Sequence, residues 1–430
     1  MNAIKQLLGG NGRQFGMIFA LGILVVLFQL LTGGKTLTST NMINLFNGNS
    51  YILILAVGMV FVIIAGHIDL SVGSVAAFSG IVVAMAMRDW GLPWYAGIVL
   101  GLVVGAAIGA WQGFWVAYVG IPAFIVTLAG MLIFRGANQW VGKSNTVPVP
   151  SEFQFIGAGY LPEGGPIPGY NNLTLLIGLV LCAAVIYGEM RKRGRNAKLG
   201  TANPPAWVPV VKIGLLCAVI LYATYLFATG RPGTSFPVSG IILGVMVLFY
   251  GFVSNKTILG RHVYAVGGNR HAAELSGVQG KKVNFMVMMN MSILAALAGM
   301  IFVARSTASG PFDGTNWELD AIAAVFIGGA AVSGGVGTVV GSIVGGLVMA
   351  VLNNGLQLLG VGADLTSMIK GLVLLLAVAL DVYNKTQGKP SITGLLMRNL
   401  GGNKPKPAPA VVDATPEMPT GTKTVISTDA

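Results

Sequence analysis

Two carboxylates in this chain stand where a carboxylate is costly. Asp69 lies in Gly66-His67-Ile68-Asp69-Leu70-Ser71-Val72-Gly73-Ser74, and Asp320 lies in Trp317-Glu318-Leu319-Asp320-Ala321-Ile322-Ala323-Ala324. Each segment falls between apolar stretches and leads into a run of small residues. An ionised side chain deep in a bilayer costs roughly 2.5–3.5 kcal/mol on insertion scales, so such groups tend to mark a polar pathway. The plainer role is a helix cap, since a carboxylate ahead of Leu70-Ser71-Val72 would accept orphan N–H groups and favour the helix dipole. The two roles are compatible, because a capped half-helix can still border a cavity.

Other polar groups are fewer. Arg135, in Leu132-Ile133-Phe134-Arg135-Gly136, could contact an anionic or polyhydroxylated solute; the alternative is that it snorkels to an interface or pairs with an acidic loop residue. Trp90, Trp94, Trp111, Trp115 and Trp140 could stack on sugar faces, but tryptophans near span ends also form interfacial belts. His67 reads as a satisfied polar residue at a span end. Ala137 to Ser144 fits a loose phosphate-loop pattern, yet that chemistry needs a strand before the loop and a helix after it. Here an apolar span precedes it, and Pro148 and Pro150 follow. No nucleophile–base set, metal cluster or nucleotide site stands out, so no catalytic residue and no bound cofactor or metal is assigned.

The elements that position these groups must cross a membrane. Of 430 residues, 54% are hydrophobic and 9% charged, against about 25% charged in soluble domains. Cys182 and Cys217 both lie in apolar stretches, which argues against a disulfide framework. Apolar windows long enough for a span recur between Arg13 and Lys35, Lys35 and His67, and Asp69 and Arg88. Asp89 to Arg135 holds two, split near Gly120-Ile121-Pro122. Others run from Glu163 to Glu189, Lys212 to Arg231, Arg231 to Lys256 and Lys282 to Arg305. The stretch from Asp320 to Asp364 is broken in two by Ser333-Gly334-Gly335. The last window covers Leu365 to Val382, with Lys370 snorkelling outward. The fold class is therefore all-α and polytopic, with about twelve spans. The first apolar run lacks a clean cleavage site and reads as a retained span.

An even number of spans places both termini on one side. That side carries about nineteen Lys and Arg and the other about six, so the termini are expected in the cytoplasm. The net charge of +12 is then a topology signal rather than a nucleic-acid footprint. The tail 401–430, rich in Pro, Thr and Ala, is expected to be disordered.

The two acidic segments also suggest a repeat. Val104-Gly105 leading to Gln112-Gly113 echoes Val344-Gly345 leading to Asn354-Gly355, and the span count gives the two units opposite orientation. Opposed units of this kind are what an inverted-repeat transporter would show. The expected division is repeat one over about 14–141, two inserted spans over 171–229, and repeat two over 236–384, all within a transmembrane domain of 1–400.

The most informative segment is polar. Leu259-Gly260-Arg261 leads through Tyr264-Ala265-Val266-Gly267-Gly268-Asn269 to Arg270-His271-Ala272-Ala273-Glu274-Leu275-Ser276-Gly277. A short helix over Asn269–Ser276 would start at a Gly-Gly turn and stop at Gly277. It would show Ala272, Ala273 and Ser276 on an open surface suited to docking in a partner's groove.

Gly260-Arg261, Tyr264 to Asn269 and Ala272-Ala273-x-Leu275-Ser276-Gly277 resemble the cytoplasmic coupling loop of sugar ABC importer permeases, with the ribose/xylose permease family the nearest match. Ile68 to Ser74, Pro122 to Met131 with Phe134-Arg135-Gly136, and Glu318 to Ala324 resemble further signatures of that family, and the extra spans between Asn171 and Thr229 resemble its longer, xylose-type branch. Two departures are His67, where the family has Gly or Glu, and a longer tail. The resemblance implies an inner-membrane permease without ATPase activity of its own, working as a homodimer. It also implies an ATP-binding ABC subunit, which uses the ATP, docked on Gly260, Arg261, Gly267, Gly268, Asn269, Ala272, Ala273, Glu274, Ser276 and Gly277. A periplasmic sugar-binding protein would deliver a monosaccharide, xylose or a similar pentose or hexose. Asp69, Ser71, Ser74, Phe124, Thr127, Arg135, Asp320, Asn353 and Asn354 are the residues expected to line the path. The rival readings are an ion-coupled secondary transporter and a branched-chain amino-acid type ABC permease.

Overall fold

The computed structural model describes residues 12–200, 205 and 207–386. The tail 401–430 lies outside them. Helices follow the apolar windows because backbone groups in hydrocarbon find no water and must be satisfied within the segment. The first half holds α1 (Gly12–Leu31), α2 (Ser39–Ile64), α3 (Val72–Asp89), α4 (Trp94–Phe114) and α5 (Ala123–Val141). A π-helical turn, Trp115–Val119, prolongs α4 as far as Gly120, which has a φ of 88°. A connection with β1 (Val147–Pro148) and α6 (Ser151–Ala158) leads to the hairpin of α7 (Asn172–Lys198) and α8 (Trp207–Ala228). The second half holds α9 (Val238–Lys256), α10 (Ile258–Gly268), α11 (Arg270–Leu275), α12 (Gly280–Ser306), β2 (Ala308–Ser309), α13 (Trp317–Ile327), α14 (Val339–Leu358) and α15 (Ala363–Thr386). The two short strands pair antiparallel, with Val147 opposite Ser309.

Each expected window carries a helix, and among the described residues nine helices are long and apolar enough to cross a membrane. Two boundaries differ from expectation. The Asp320–Asp364 stretch breaks at Gly328-Gly329, ahead of Ser333, and leaves α13 with only 11 residues. At 1.5 Å per residue it covers about 16 Å, half of a ~30 Å hydrocarbon core, and is no full span. Helix α7 continues past Glu189 to Lys198, because Arg and Lys are good helix formers once the chain has left the apolar layer.

The core lies around α2 and α12. Almost every residue of α2 from Ile52 to Ile64 is buried, as are most of α3 and α12. Helix α12 packs on α3 and α4, while α2 packs on α13 and α14. Glycine sets the closest of these contacts. Gly101, Gly105, Gly109 and Gly113 of α4 face Met300, Ala296, Met289 and Phe285 of α12, and a Cβ at any of them would meet an atom of α12 inside contact distance. Helices in lipid gain no hydrophobic drive from associating, so a small-residue seam that lets backbones approach is what holds them. By contrast α4, α5, α7, α8 and α9 turn large apolar side chains outward, among them Leu132, Leu215 and Leu248. That is a lipid-facing surface.

Candidate translocation site

The chain enters the bundle twice without helix. After α2, residues 65–71 turn back inside, and α3 begins well within the bundle, where Ala76 packs against Gly299 of α12. After β2, residues 310–316 do the same, and α13 begins at Trp317, whose ring lies 4.4 Å from Tyr51, halfway along α2. The first turns of α3 and α13 meet there. A Cβ on Gly73 would run into the Gly314 carbonyl and come within 2.7 Å of Glu318 Oε2. Only glycine permits the approach on both sides; Gly314 also has a φ of 78°.

Polar side chains gather around this meeting point. Asp69 is fully buried, and its Oδ1 accepts from the Ser71 N–H at 2.8 Å and the Ser71 hydroxyl at 2.7 Å. Asp69 therefore holds the turn ahead of α3 and does not cap it as expected, since it accepts from Ser71, which is itself the N-cap, and no helix N–H receives a side-chain cap. Gln112 Nε2 donates to Ser71 Oγ at 2.8 Å, tying α4 to the turn. The Thr127 hydroxyl of α5 reaches the Ile68 carbonyl at 3.4 Å. On the other side, Glu318 is 5% exposed and faces Arg135 Nη2 at 3.7 Å. Arg135 thus has an acidic partner, in the first turn of α13 rather than in a loop as the alternative has it. Asn138, one turn on from Arg135, donates to the Gly310 and Pro311 carbonyls at 3.2 and 3.0 Å and pins the second entering loop to α5.

Three acceptors in this cluster, Asp69 Oδ2, Glu318 Oε2 and Asn138 Oδ1, are buried and have no hydrogen-bond partner, and the Ser74 hydroxyl is likewise unpaired. Buried polar atoms are nearly always satisfied, so unpaired acceptors in a cluster call for an outside donor. Water or the hydroxyls of a polyol would serve.

Other expected lining residues sit elsewhere. Asp320 is not a cap. It pairs with Lys370 Nζ at 2.7 Å, joining α13 to α15. Lys370 therefore turns inward instead of snorkelling, because a half-buried carboxylate lies within its reach. Asn354 exchanges hydrogen bonds of 2.8 and 2.9 Å with Asn41, a strut between α14 and α2, and Asn353 beside it is half-buried. Phe124 is exposed on the rim of a cavity of about 460 Å³. That cavity is also lined by His67, Ile68, Gly120, Arg270 and Lys281 and opens below the Asp69 turn. His67, read from sequence as a satisfied polar residue, has a buried Nε2 without a hydrogen-bond partner. Trp90 and Trp140 are more than 70% exposed near helix ends, as an interfacial belt requires.

The connector α10–α11 touches the start of the first entering loop and the turn between α13 and α14. Gly335 N–H donates to the Ile64 carbonyl at 2.8 Å. A Cβ on Gly267 would strike that same carbonyl and come within 2.9 Å of Gly335 N. Tyr264 Oη donates to the Gly337 carbonyl at 2.7 Å and lies 3.1 Å from Ser254 Oγ. Gly267 and Gly268 form the last turn of α10 rather than the expected Gly-Gly turn, since the break falls at Asn269, whose Oδ1 accepts from Ala272 N–H at 3.0 Å and caps α11. Gly260 packs on the Val253 and Ser254 carbonyls, while Arg261 is exposed. Gly277, with a φ of 86°, stops α11 as expected.

One expectation about α11 fails. Ala273 is buried, because α11 lies on α10 and α12 and Ala273 occupies the inward face. Ala272, Ser276 and Glu274 remain exposed, Ser276 Oγ bonding the Ala272 carbonyl and Glu274 pairing with Arg270 at 2.9 Å. The dominant outward feature is Leu275, 77% exposed. The sequence reading places only small residues on the open face.

Gln112, Asn138, Glu318 and Tyr264 are the site residues that spacing alone did not single out. Gln112 and Asn138 are single polar residues in apolar helices, while Glu318 and Tyr264 stand inside quoted motifs whose neighbours are chosen instead.

The family model described as branched-chain amino acid transport system / permease component matches residues 41–378. The xylose transport system permease protein XylH of Haemophilus influenzae is 40% identical over 376 residues, 87% of this chain and 97% of the relative. The XylH protein of Escherichia coli strain K12 is 38% identical, covering 87% and 93%. The ribose import permease protein RbsC of the same strain is 34% identical over 374 residues, 86% and 93%. No solved structure matches the chain significantly. With its helices, its entering loops and its connector spread over the matched region, the chain belongs to this family of membrane permeases and to the xylose-type branch within it.

Proposed function

We propose that the chain is the membrane permease of an ATP-driven, binding-protein-dependent importer that moves a monosaccharide, xylose or a similar pentose or hexose, into the cytoplasm. The observation that carries the reading is the junction of Ile64, Gly267 and Gly335. A push on the exposed connector there reaches the first entering loop, which follows Ile64 and leads to Asp69, and the turn that follows α13, whose first turn holds Glu318. ATP is bound and hydrolysed by a partner ABC subunit, which docks on α10–α11 through Leu275, Ala272 and Ser276. A periplasmic binding protein delivers the sugar from the opposite face, and a second copy of the permease completes the path. The termini lie in the cytoplasm, in line with the side that carries most of the Lys and Arg.

We further infer that α1–α5 and the set α9, α12, α13, α14 and α15 are inverted repeats. The exchange of partners supports this: α12 packs on the third and fourth helices of the first set, and α2 on the third and fourth of the second. In such folds the solute site forms at the repeat interface where broken helices start. The hairpin α7–α8 stands apart as the insertion.

The chemistry asked of the site is modest. Unpaired acceptors on Asp69, Glu318 and Asn138 suit the hydroxyls of a sugar passing through, and affinity comes from the binding protein. The family model's description favours a second reading, an amino-acid cargo. Uptake in proteoliposomes, with the ATPase and binding protein supplied or omitted in turn, tests both. Pentose uptake that needs all three components supports the proposal. Uptake that is competed by branched-chain amino acids and not by sugars overturns the cargo, and uptake by the permease alone along an ion gradient overturns the mechanism.

A further inference from the structure

A crevice of about 760 Å³ opens where the last turns of α7 meet the end of α9. Its charged lining is Arg191, Lys192, Arg195, Lys198 and Lys256, and no carboxylate lines it. Helix geometry accounts for the clustering, since Arg191, Arg195 and Lys198 recur at spacings of four and three and so share one face of α7. None of these five side chains makes an ion pair or hydrogen bond among the described residues. The acid nearest in sequence, Glu189, is held by Lys212 at 3.1 Å. Five like charges around one concavity repel one another, and an anion relieves that repulsion.

The surroundings say which anion. Tyr187, Met190, Leu199 and Ile258 flank the cations and are each more than 60% exposed. Upstream, α7 turns Leu176, Leu179 and Val180 outward. Cations interleaved with aromatic and apolar side chains at the end of an apolar span suit a lipid headgroup with its acyl chains alongside. An acidic protein surface would leave those apolar side chains uncovered.

We propose that this crevice binds the phosphate headgroup of an anionic phospholipid, with the acyl chains lying along the outer face of α7. The inserted hairpin α7–α8 then has a role of its own, as the part of the permease that reads membrane composition. The site does not depend on which sugar the permease carries.

The test is lipid binding to purified full-length permease by native mass spectrometry, with phosphatidylglycerol and phosphatidylcholine as probes. The wild type is expected to prefer phosphatidylglycerol at least ~10-fold, and R191Q/K192Q/R195Q/K198Q to fall within about 2-fold of no preference. These side chains are outside the packed core, and K281Q/K282Q, which removes cations elsewhere, is expected to keep the wild-type preference. A quadruple variant that keeps the preference overturns the site, as does equal loss in the control. Saturation by glycerol phosphate at similar concentration overturns the lipid assignment in favour of a soluble anion. Loss of ATPase co-purification with lipid preference intact identifies the crevice as a protein contact and overturns it too.

Discussion

Gly335 donates its N–H to the carbonyl of Ile64, and Gly267 fits against both because it has no side chain. Three segments that are far apart in sequence thus share one backbone junction. Gly267 leaves no room for a Cβ, whereas Gly268 next to it has nothing within 4 Å of that position. Gly267→Ala is therefore expected to lower ATP-driven uptake at least ~10-fold, since overpacking costs about 1–3 kcal/mol and here falls on the moving part. Gly268→Ala is expected to stay near wild type. Equal effects of the two on uptake, at matched expression, would remove the junction from the coupling route.

The ion pair of Arg135 and Glu318 is unequal. Glu318 is buried, while about a third of the Arg135 side chain is exposed. Removing Arg135 strands a buried carboxylate, and Arg135→Gln is expected to cost about 1–3 kcal/mol. Glu318→Gln leaves an arginine that water can still reach and is expected to cost under about 1 kcal/mol. Thermal melts of the two single variants and the double variant in detergent check this ordering, and a larger loss for Glu318→Gln contradicts it.

Helix α4 is held to α12 through its glycine seam. Gly105→Leu places a side chain against the Ala296 Cβ and the Ser292 carbonyl and is expected to prevent stable folding. Gly214→Leu, on the lipid face of α8 where nothing lies within 4 Å, is expected to be neutral within ~0.5 kcal/mol. Size-exclusion profiles of fluorescently tagged variants read the difference.

Asn41 and Asn354 form a reciprocal pair between α2 and α14. Interhelical hydrogen bonds in membrane proteins average about 0.6 kcal/mol and reach about 1.7. Asn354→Leu is expected to lower stability by that amount while uptake persists, and a melt unchanged by the substitution would show the strut to be idle.

Apolar windows gave the helices because lipid leaves the backbone no alternative to internal hydrogen bonding. They did not give the length of α13, because Ala321 to Val332 reads as one apolar run, whereas the helix ends early at Gly328 and the left-handed Gly329, with a φ of 86°, turns the chain. Asp69 was visible as an acid in an apolar setting. Glu318, two residues from Asp320, was hidden by it, and hydropathy could not tell which of the two turns toward Gly73 and which toward Lys370. Ala273 shows a similar limit, since a six-residue helix, Arg270–Leu275, is too short for a periodic pattern to tell which of its two alanines faces inward.

That outward face offers the most direct test of the account. Uptake of a labelled pentose and ATP hydrolysis would be measured together in proteoliposomes that contain the ATPase and the binding protein, for wild type and for Leu275→Asp. The exposed Leu275 carries no packing, so the variant is expected to fold, to lose the ATPase subunit on purification, and to lose uptake and sugar-stimulated hydrolysis together. A Leu275→Asp permease that still imports at the wild-type rate, or a wild type that imports without the ATPase, would contradict the account.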